Sequence, residues 1–273
     1  MTEQAERYDR IAAGYARWWA PIIAPAAVGV LDEISEAVAS GADRILDIGT
    51  GTGTLAIALL HRWPQVRVTA IDASAGMIEM ASAEAHRLLT PRARAQLELH
   101  TAFADDLPLA ADSFDLAVSS FVLQLVPNRF RALREARRVL VPGGRIAFVT
   151  WLADDRAFAP DADFDGALDE IGIGAREWED RPGDISSVAA AVRQMRRAGF
   201  AEVRAEARVL DHPFDVEGYL RFMTEFDEED LVADMTSAVR GRFEAALRRR
   251  LERRHPSELI LRLPTVTATG VRR

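Results

Sequence analysis

Short apolar runs alternate with helix-like segments through the first part of the chain. Leu31, Ile34 and Val38 recur at the spacing of one helical face, and an apolar strand-like run follows them. The predicted strands are 44–48, 66–71, 95–99, 114–120 and 145–151, and the helices between them end at Arg62 or span 74–89 and 129–140. This alternation predicts a parallel sheet covered by helices on both faces.

After residue 151 the pattern loosens through an acidic segment that reaches about residue 186. A helix at 188–198 and a strand at 203–210 follow, residues 216–255 are helical in pattern, and a strand-like run closes the chain. We interpret 216–255 as a helical insertion before the last strand, because its length and apolar content do not predict an independent core. The predicted fold is therefore α/β, a doubly wound, mostly parallel sheet of seven strands.

Composition narrows the class of protein and of partner. The chain has 273 residues, 49% of them hydrophobic, and no run approaches the roughly 18 apolar residues that a membrane span needs. Its charged beginning has no signal-peptide core, so we expect a cytoplasmic protein. Cysteine is absent, which excludes disulfides and Cys-ligated zinc, and no metal site is predicted. The net charge of −8 argues against a nucleic acid or an anionic membrane as main partner.

Three glycines stand at alternate positions where the first strand turns into a helix, in the run "LDIGTGTG". In a doubly wound sheet this turn presents backbone amides and a helix N-terminus to a ligand. A tight turn alone would account for one glycine rather than three. The spacing is GxGxG, since Thr54 stands where the dinucleotide fingerprint has its third glycine.

This run resembles the first motif of the class I S-adenosylmethionine-dependent methyltransferases. "VTAIDAS", "LPLAADSFDLAVSSFVLQLVPN" and "ALREARRVLVPGGRIAFVTW" are similar to later segments of that family, and "RRAGFAEV" extends the resemblance to about residue 210. Within the family the chain is similar to the small-molecule branch, which includes the ubiquinone/menaquinone and malonyl-carrier methyltransferases.

The resemblance implies a Rossmann-like fold and a single methyltransferase domain over residues 1–273. It would comprise an N-terminal helical cap (1–40), a cofactor-binding core (41–152) and a helical lid (216–255). The implied cofactor is S-adenosyl-L-methionine. Its predicted contacts are Tyr8, Asp47, Gly49, Gly51, Gly53, Asp72, Ala73, Met77, Phe103, Ala104 and Ser119.

Within that set, Asp47 would orient the methionine amino group through water or backbone, and Asp72 would hold the ribose hydroxyls. Phe103 stands where the family often has an aspartate that reads adenine, so Ala104 backbone groups or Asp105 would take that part. Leu125 replaces a histidine that the family often carries.

Methyl transfer is an in-line displacement, so the protein must mainly align the acceptor and exclude water. His212 is predicted to follow the sixth strand at the carboxyl edge, and Tyr15 lies seven residues after Tyr8 on one helical face, so both are candidate catalytic residues. The candidate substrate-pocket residues are Trp18, Phe121, Gln124, Tyr219 and Phe222. Each of these aromatic side chains could equally belong to an ordinary core.

The sequence predicts methyl transfer to a small, hydrophobic or aromatic acceptor, on oxygen. Transfer to carbon or nitrogen, and use of the cofactor without methyl transfer, stay open, because cofactor motifs report binding and not turnover. A nicotinamide-dependent oxidoreductase is disfavoured by the GxGxG spacing. Both a monomer and a homodimer are compatible with the sequence.

Overall fold

The computed structural model describes residues 3–154, 156–174 and 183–273. Its described residues form two compact units, one of 3–153, 183–208 and 264–273, the other of 154, 156–174 and 209–263. The prediction of a single domain with boundaries at 40, 152, 216 and 255 stays a prediction.

The first unit is built on a seven-stranded sheet, of which the strand residues 209–213 and 260–263 belong to the second unit. Its strands are β1 (Arg44–Ile48), β2 (Arg67–Asp72), β3 (Leu97–Thr101), β4 (Phe114–Ser120), β5 (Leu140–Trp151), β6 (Phe200–Pro213) and β7 (Ile260–Arg272). The strand order is β3-β2-β1-β4-β5-β7-β6. The pairs from β3 to β5 are parallel, whereas β7 runs antiparallel to β5. The predicted Rossmann-like, mostly parallel α/β fold is confirmed, including helices inserted before the last strand.

The helices of the first unit follow the predicted alternation. They are α1 (Glu3–Gly14), α2 (Ala20–Gly29), α3 (Ser35–Ala39), α4 (Thr54–Arg62), α5 (Ala75–Leu88), α6 (Pro91–Arg94), α7 (Arg129–Val139) and α9 (Val188–Arg197). A π-helical turn (Tyr15–Trp19) joins α1 to α2, and a 3-10 turn (Val30–Ile34) precedes α3. One apolar core includes Leu46 and Phe148 of the sheet, Leu133 of α7 and Met195 of α9.

Two strand boundaries differ from the sequence prediction for a local reason. Thr90 caps the short helix α6 with its side chain, so β3 begins two residues later than predicted. The "VPGG" segment lies inside β5, where the register with β4 shifts between Phe114 and Leu116. Gly143 there has a φ of +83°, which suits a bulge rather than a separate turn.

The second unit is mostly helical. It contains α8 (Ala159–Glu170), α10 (Val216–Phe222), a π-helical turn (Met223–Asp227), α11 (Glu229–Ala233), α12 (Ser237–Leu251) and a 3-10 turn (Pro256–Leu259). The rings of Phe164 and Phe243 pack edge to face at 5.0 Å, which joins α8 to α12. Helix α8 was missed because its sequence, "APDADFDGALDE", is acidic and its apolar positions are few. In the part of the chain that the structure describes, no helix is long and apolar enough to cross a bilayer.

Candidate cofactor site

A cavity of about 160 Å³ opens in the first unit at the carboxyl ends of β1 to β4. β1 pairs with β2 on one side and with β4 on the other, so the cavity lies where the strand order reverses. Open α/β sheets bind their ligands at this position. The predicted site residues that line it are Tyr8, Tyr15, Gly49, Gly51, Asp72, Ala73, Met77, Phe103, Ala104 and Phe121.

Gly49 and Gly51 are required for two different reasons. Both have a positive φ, of +72° and +54°. A Cβ at Gly49 would lie 2.2 Å from a methyl of Val122, so glycine allows β1 and the loop after β4 to approach. A Cβ at Gly51 would meet nothing within 4 Å, which leaves its backbone bare toward the cavity.

Gly53 is surrounded by the helices α4 and α5. It caps α4 in the left-handed conformation, and a Cβ there would lie 3.2 Å from the Cβ of Ala81 on α5. It is not among the described residues that line the cavity. Its surroundings indicate close packing of α4 on α5, and a direct cofactor contact stays a prediction.

Asp72 is tied down by backbone groups on both oxygens. Its Oδ2 accepts a hydrogen bond from the Gly51 amide at 2.8 Å, and its Oδ1 accepts one from the Ser74 amide at 2.9 Å. Burial raises the pKa of Asp72, and these backbone donors oppose the shift. The carboxylate is therefore fixed at the cavity wall, where its remaining lone pairs can accept hydrogen bonds from hydroxyl groups of a ligand.

Asp47 lies beneath the loop and is fully buried. Neither of its carboxylate oxygens makes a hydrogen bond with normal geometry to the described residues, and the buried Oγ1 of Thr50 is in the same state. Burial raises the pKa of Asp47 to about 7, although the nearby Thr50 hydroxyl and Ala56 amide favour the ionised form. An unpartnered buried carboxylate is costly, and a cation or water bound nearby would offset that cost.

The two tyrosines of the N-terminal segment meet at the cavity. The rings of Tyr8 and Tyr15 pack edge to face with centroids 5.8 Å apart, and both line the wall. Burial raises the pKa of the Tyr15 phenol, and the charge of Asp72 acts in the same direction. Tyr15 is therefore a neutral hydroxyl at ordinary pH, suited to donating a hydrogen bond rather than to accepting a proton.

Phe121 forms the wall after β4. Its backbone has a φ of +55°, a rare conformation for a residue with a side chain, and its ring stacks on Trp151 at 4.0 Å. The ring of Trp19 is tilted against that of Trp151, with the two centroids 6.2 Å apart. Strained backbone at a cavity wall is typical of a functional site.

Besides Asp47 and Gly53, three predicted site residues of the first unit lie outside the cavity lining, namely Ser119, Gln124 and Trp18. Ser119 is buried and donates its hydroxyl to the Ile48 carbonyl at 2.8 Å, so the next residue of the strand, Ser120, lines the cavity instead. Gln124 bonds the hydroxyl of Thr150. The ring of Trp18 lies 4.9 Å from the Arg17 guanidinium.

The remaining candidates belong to the second unit. His212 lies inside β6 rather than after it, because the strand continues to Pro213, and its ring packs edge to face on Phe214 at 4.5 Å. Burial lowers the pKa of His212. Tyr219 donates its hydroxyl to Asp161 at 2.7 Å, and Phe222 packs on Phe214. Contact of these three residues with an acceptor stays a prediction.

Sequence reasoning missed the residues that hold the N-terminal segment and part of the apolar wall. Ile23 and Ala27 of α2 and Gln4 of α1 line the cavity. Asp9 bonds the first turn of α5. The position of Asp9 directly after Tyr8 was the available signal, but one carboxylate in a charged segment does not reveal its partner.

Residues 45–144 match the family described as "Methyltransferase domain". Of the curated proteins, a malonyl-[acyl-carrier protein] O-methyltransferase of Geobacter sulfurreducens is 37% identical over 181 residues, which cover 65% of this chain and 63% of that protein. A ubiquinone/menaquinone biosynthesis C-methyltransferase of Syntrophotalea carbinolica is 38% identical over 116 residues, covering 42% of this chain and 47% of that protein.

Among solved structures, a phosphoethanolamine N-methyltransferase 2 of Haemonchus contortus, in complex with phosphomonomethylethanolamine and S-adenosylhomocysteine, superposes with a TM-score of 0.51 at 15% identity. The superposition covers 85% of this chain and 49% of that one, and it shows the fold alone. The chain spans less than two thirds of these curated relatives. The resemblance to the class I S-adenosylmethionine-dependent methyltransferases of the small-molecule type is confirmed.

Proposed function

We propose that this chain is an S-adenosyl-L-methionine-dependent methyltransferase that methylates an oxygen of a small, largely apolar acceptor. The observation that carries the proposal is one cavity in the first unit that is lined by the loop after β1 (residues 49–53, the glycine loop), by Asp72 and by an apolar wall that includes Phe121. The match of residues 45–144 to a methyltransferase domain supports the same reaction class.

The residues present fit the proposed cofactor. Gly51 offers bare backbone with open space beside it, and Asp72 presents carboxylate oxygens fixed by two amides. Asp47 supplies a buried carboxylate whose oxygens have no normal hydrogen-bond partner among the described residues, as expected for a group that faces a cationic ammonium through water or backbone. When bound, S-adenosyl-L-methionine supplies an electrophilic methyl group on a sulfonium.

The protein's own part in the reaction is to bind, orient and exclude water. Asp72 would hold the ribose hydroxyls by charge-assisted hydrogen bonds. Ala73, Met77, Phe103 and Ala104 would border the adenine, because they follow the ends of β2 and β3. Phe121 and Ile23 contribute apolar wall, which disfavours water around an attacking nucleophile.

Oxygen as the methylated atom is supported by a curated relative whose match covers 65% of this chain and which is an O-methyltransferase by name. The C-methyltransferase relative, which matches a shorter part of the chain, favours carbon as the second candidate. Tyr15 can donate a hydrogen bond to an acceptor oxygen because its phenol stays protonated.

Isothermal titration with S-adenosylmethionine and S-adenosylhomocysteine tests the cofactor, and NAD⁺ serves as the matched control ligand. Transfer from donor labelled in the methyl group is then measured with a carboxylic acid thioester, a phenol and a prenylated hydroquinone as acceptors. Release of label by mild alkali identifies a methyl ester. Of the alkali-stable label, hot hydroiodic acid releases the methyl group of an ether as methyl iodide and leaves a C-methyl group in place. Absence of binding to both sulfur ligands, or tight binding of NAD⁺, would contradict the proposal.

A further inference from the structure

Asp9 connects α1 to the first turn of α5. Its Oδ1 accepts a hydrogen bond from the Ser74 hydroxyl at 2.5 Å and a second one from the Gly76 amide at 2.9 Å. Both donors belong to the N-terminus of α5, where unpaired amides and the helix dipole favour a negative charge. One carboxylate oxygen thus fixes two separate elements to each other.

Gly76 is the reason that α1 can come this close. A Cβ at this position would lie 3.3 Å from the Cα, the carbonyl oxygen and the Oδ1 of Asp9. These contacts are tighter than ordinary packing, and two of the three atoms are backbone. Glycine in a first helical turn lowers helix propensity, so its presence here is explained by the approach of α1 rather than by α5 itself.

The turn that holds Asp9 also forms the wall of the cavity. The Ser74 amide donates to Oδ1 of Asp72, while the Ser74 hydroxyl donates to Asp9 and accepts from the Met77 amide. Ser74 is fully buried. A continuous hydrogen-bonded path therefore runs from Asp9 on α1 through Ser74 to Asp72.

The neighbours of Asp9 on α1 line the same cavity. Gln4, Ala5 and Tyr8 belong to its wall, and Tyr8 is adjacent to Asp9 in sequence. Burial raises the pKa of the Tyr8 phenol, and the charge of Asp72, which lines the same cavity, acts in the same direction. The position of α1 therefore determines one wall of the cavity, beside Asp72.

We propose that Asp9 is a positioning residue for the cofactor site, which holds α1 on the α5 turn and so couples docking of α1 to occupancy of the cavity. The proposal rests on the proposed function for its ligand, while the anchoring itself does not depend on any ligand. Asp9 touches neither acceptor nor cofactor in this role. It acts through Ser74 on Asp72 and through α1 on Tyr8.

Hydrogen exchange of residues 3–14, without ligand, tests the anchor directly. Asp9→Ala should accelerate exchange in this segment by about tenfold, since two hydrogen bonds to a charged group are lost. Glu6→Ala is the matched control, because Glu6 is an exposed carboxylate on the same helix. It should leave exchange at the wild-type rate.

Titration with S-adenosylhomocysteine tests the coupling. Asp9→Ala should weaken binding about tenfold, Glu6→Ala should not, and Asp9→Asn should recover most of the affinity because its amide oxygen still accepts both hydrogen bonds. Added S-adenosylhomocysteine should slow exchange of residues 3–14 in the wild type and have a smaller effect in Asp9→Ala. Circular dichroism confirms that each variant is folded.

Gly76→Ala gives an independent test in case Asp9→Ala does not fold. Alanine favours the helix itself, so faster exchange in residues 3–14 would come from the Cβ pressing on Asp9. Unchanged exchange in both Asp9→Ala and Gly76→Ala overturns the anchor. Two results would overturn the coupling. One is faster exchange in residues 3–14 with unchanged affinity for S-adenosylhomocysteine, and the other is an Asp9→Asn variant whose affinity is as low as that of Asp9→Ala. A wild type that binds no sulfur ligand contradicts the proposed function, while the exchange measured without ligand still decides the anchor.

Discussion

Each of the two units buries an aspartate, but only one of the two aspartates has a charged hydrogen-bond partner in the part of the chain that the structure describes. In the first unit, Asp47 is fully buried and its oxygens have no normal hydrogen-bond partner among the described residues. In the second unit, Asp163 of α8 accepts two hydrogen bonds from Arg254, from Nε at 2.7 Å and from Nη2 at 3.1 Å. Arg254 also bonds Glu258, which completes a small network.

This difference separates groups that hold the fold from groups that await a ligand. A carboxylate matched by a bidentate guanidinium is a self-contained structural unit. A carboxylate buried without its counterpart destabilises the fold, and such groups concentrate at functional sites. The unpaired aspartate lies in the unit that contains the cavity, which is the arrangement expected if a bound cation offsets its cost.

The largest effect is expected from Asp47→Asn, measured as stability against pH. The pKa of Asp47 is raised from its ordinary 3.8 to about 7, so the folded protein binds the proton more tightly than the unfolded chain does. The free energy of unfolding contributed by this group therefore falls as pH rises from about 4 to about 7, by up to roughly 4 kcal/mol. Asparagine removes this dependence, so the variant should gain stability over the wild type toward pH 8.

Urea unfolding at pH 5.5 and pH 8 measures this difference. The same substitution should weaken S-adenosylmethionine binding at pH 8, since a neutral amide offers no charge to an ammonium. A variant that is less stable than the wild type at both pH values would show that Asp47 is compensated within the fold. Asp47 would then be a structural carboxylate like Asp163.

Asp163→Asn should act in the opposite direction and destabilise the second unit. The Arg254 side chain, which is 30% exposed, would lose one of its two carboxylate partners and keep Glu258, and we expect a cost of about 2 to 3 kcal/mol, below the range for a fully buried pair. Hydrogen exchange in 159–170 and 237–251 should accelerate. Glu170→Gln is the matched control, because this exposed partner of Arg249 and Arg250 should contribute less than about 1 kcal/mol.

Asp72→Ala should weaken S-adenosylhomocysteine binding by about 30-fold, or roughly 2 kcal/mol, since charge-assisted hydrogen bonds to the ribose are lost. His212→Ala should leave cofactor binding unchanged, because His212 packs on Phe214 in the second unit. Titration calorimetry compares the two variants. Equal effects would show that Asp72 does not occupy the ribose position.

What could be predicted from the sequence depended on whether the signal was local. The position of the glycine loop after β1 and that of Asp72 at the end of β2 could be predicted from periodicity and spacing. Gly51 of this loop and Asp72 line the same cavity. Helix α8 has too few apolar positions to be recognised, and the Asp163–Arg254 pair joins residues 91 apart.

The hydrogen bonds of Asp9 could not be predicted from the sequence either. Its partners lie 65 and 67 residues away, and only the packing of α1 on α5 brings them together. His212 was placed after a strand because the strand was predicted to end at 210, whereas the Phe214 amide still bonds the Leu259 carbonyl. Pairings of this kind depend on tertiary structure, so no local pattern reports them.

The smallest effect is expected from a pair of glycines that share their backbone conformation but lie in different units. Gly51 has a φ of +54° and Gly172 one of +85°, and a Cβ at either position would meet nothing within 4 Å. Alanine at each site should therefore cost about 1 kcal/mol of stability, from backbone strain alone. The space beside Gly51 belongs to the cavity, however, so Gly51→Ala should also weaken S-adenosylhomocysteine binding, whereas Gly172→Ala should not. Thermal unfolding measures the cost in stability, and titration measures the cost in affinity. Equal affinities of the two variants for S-adenosylhomocysteine would mean that Gly51 is required by the backbone conformation of the loop and not by the ligand.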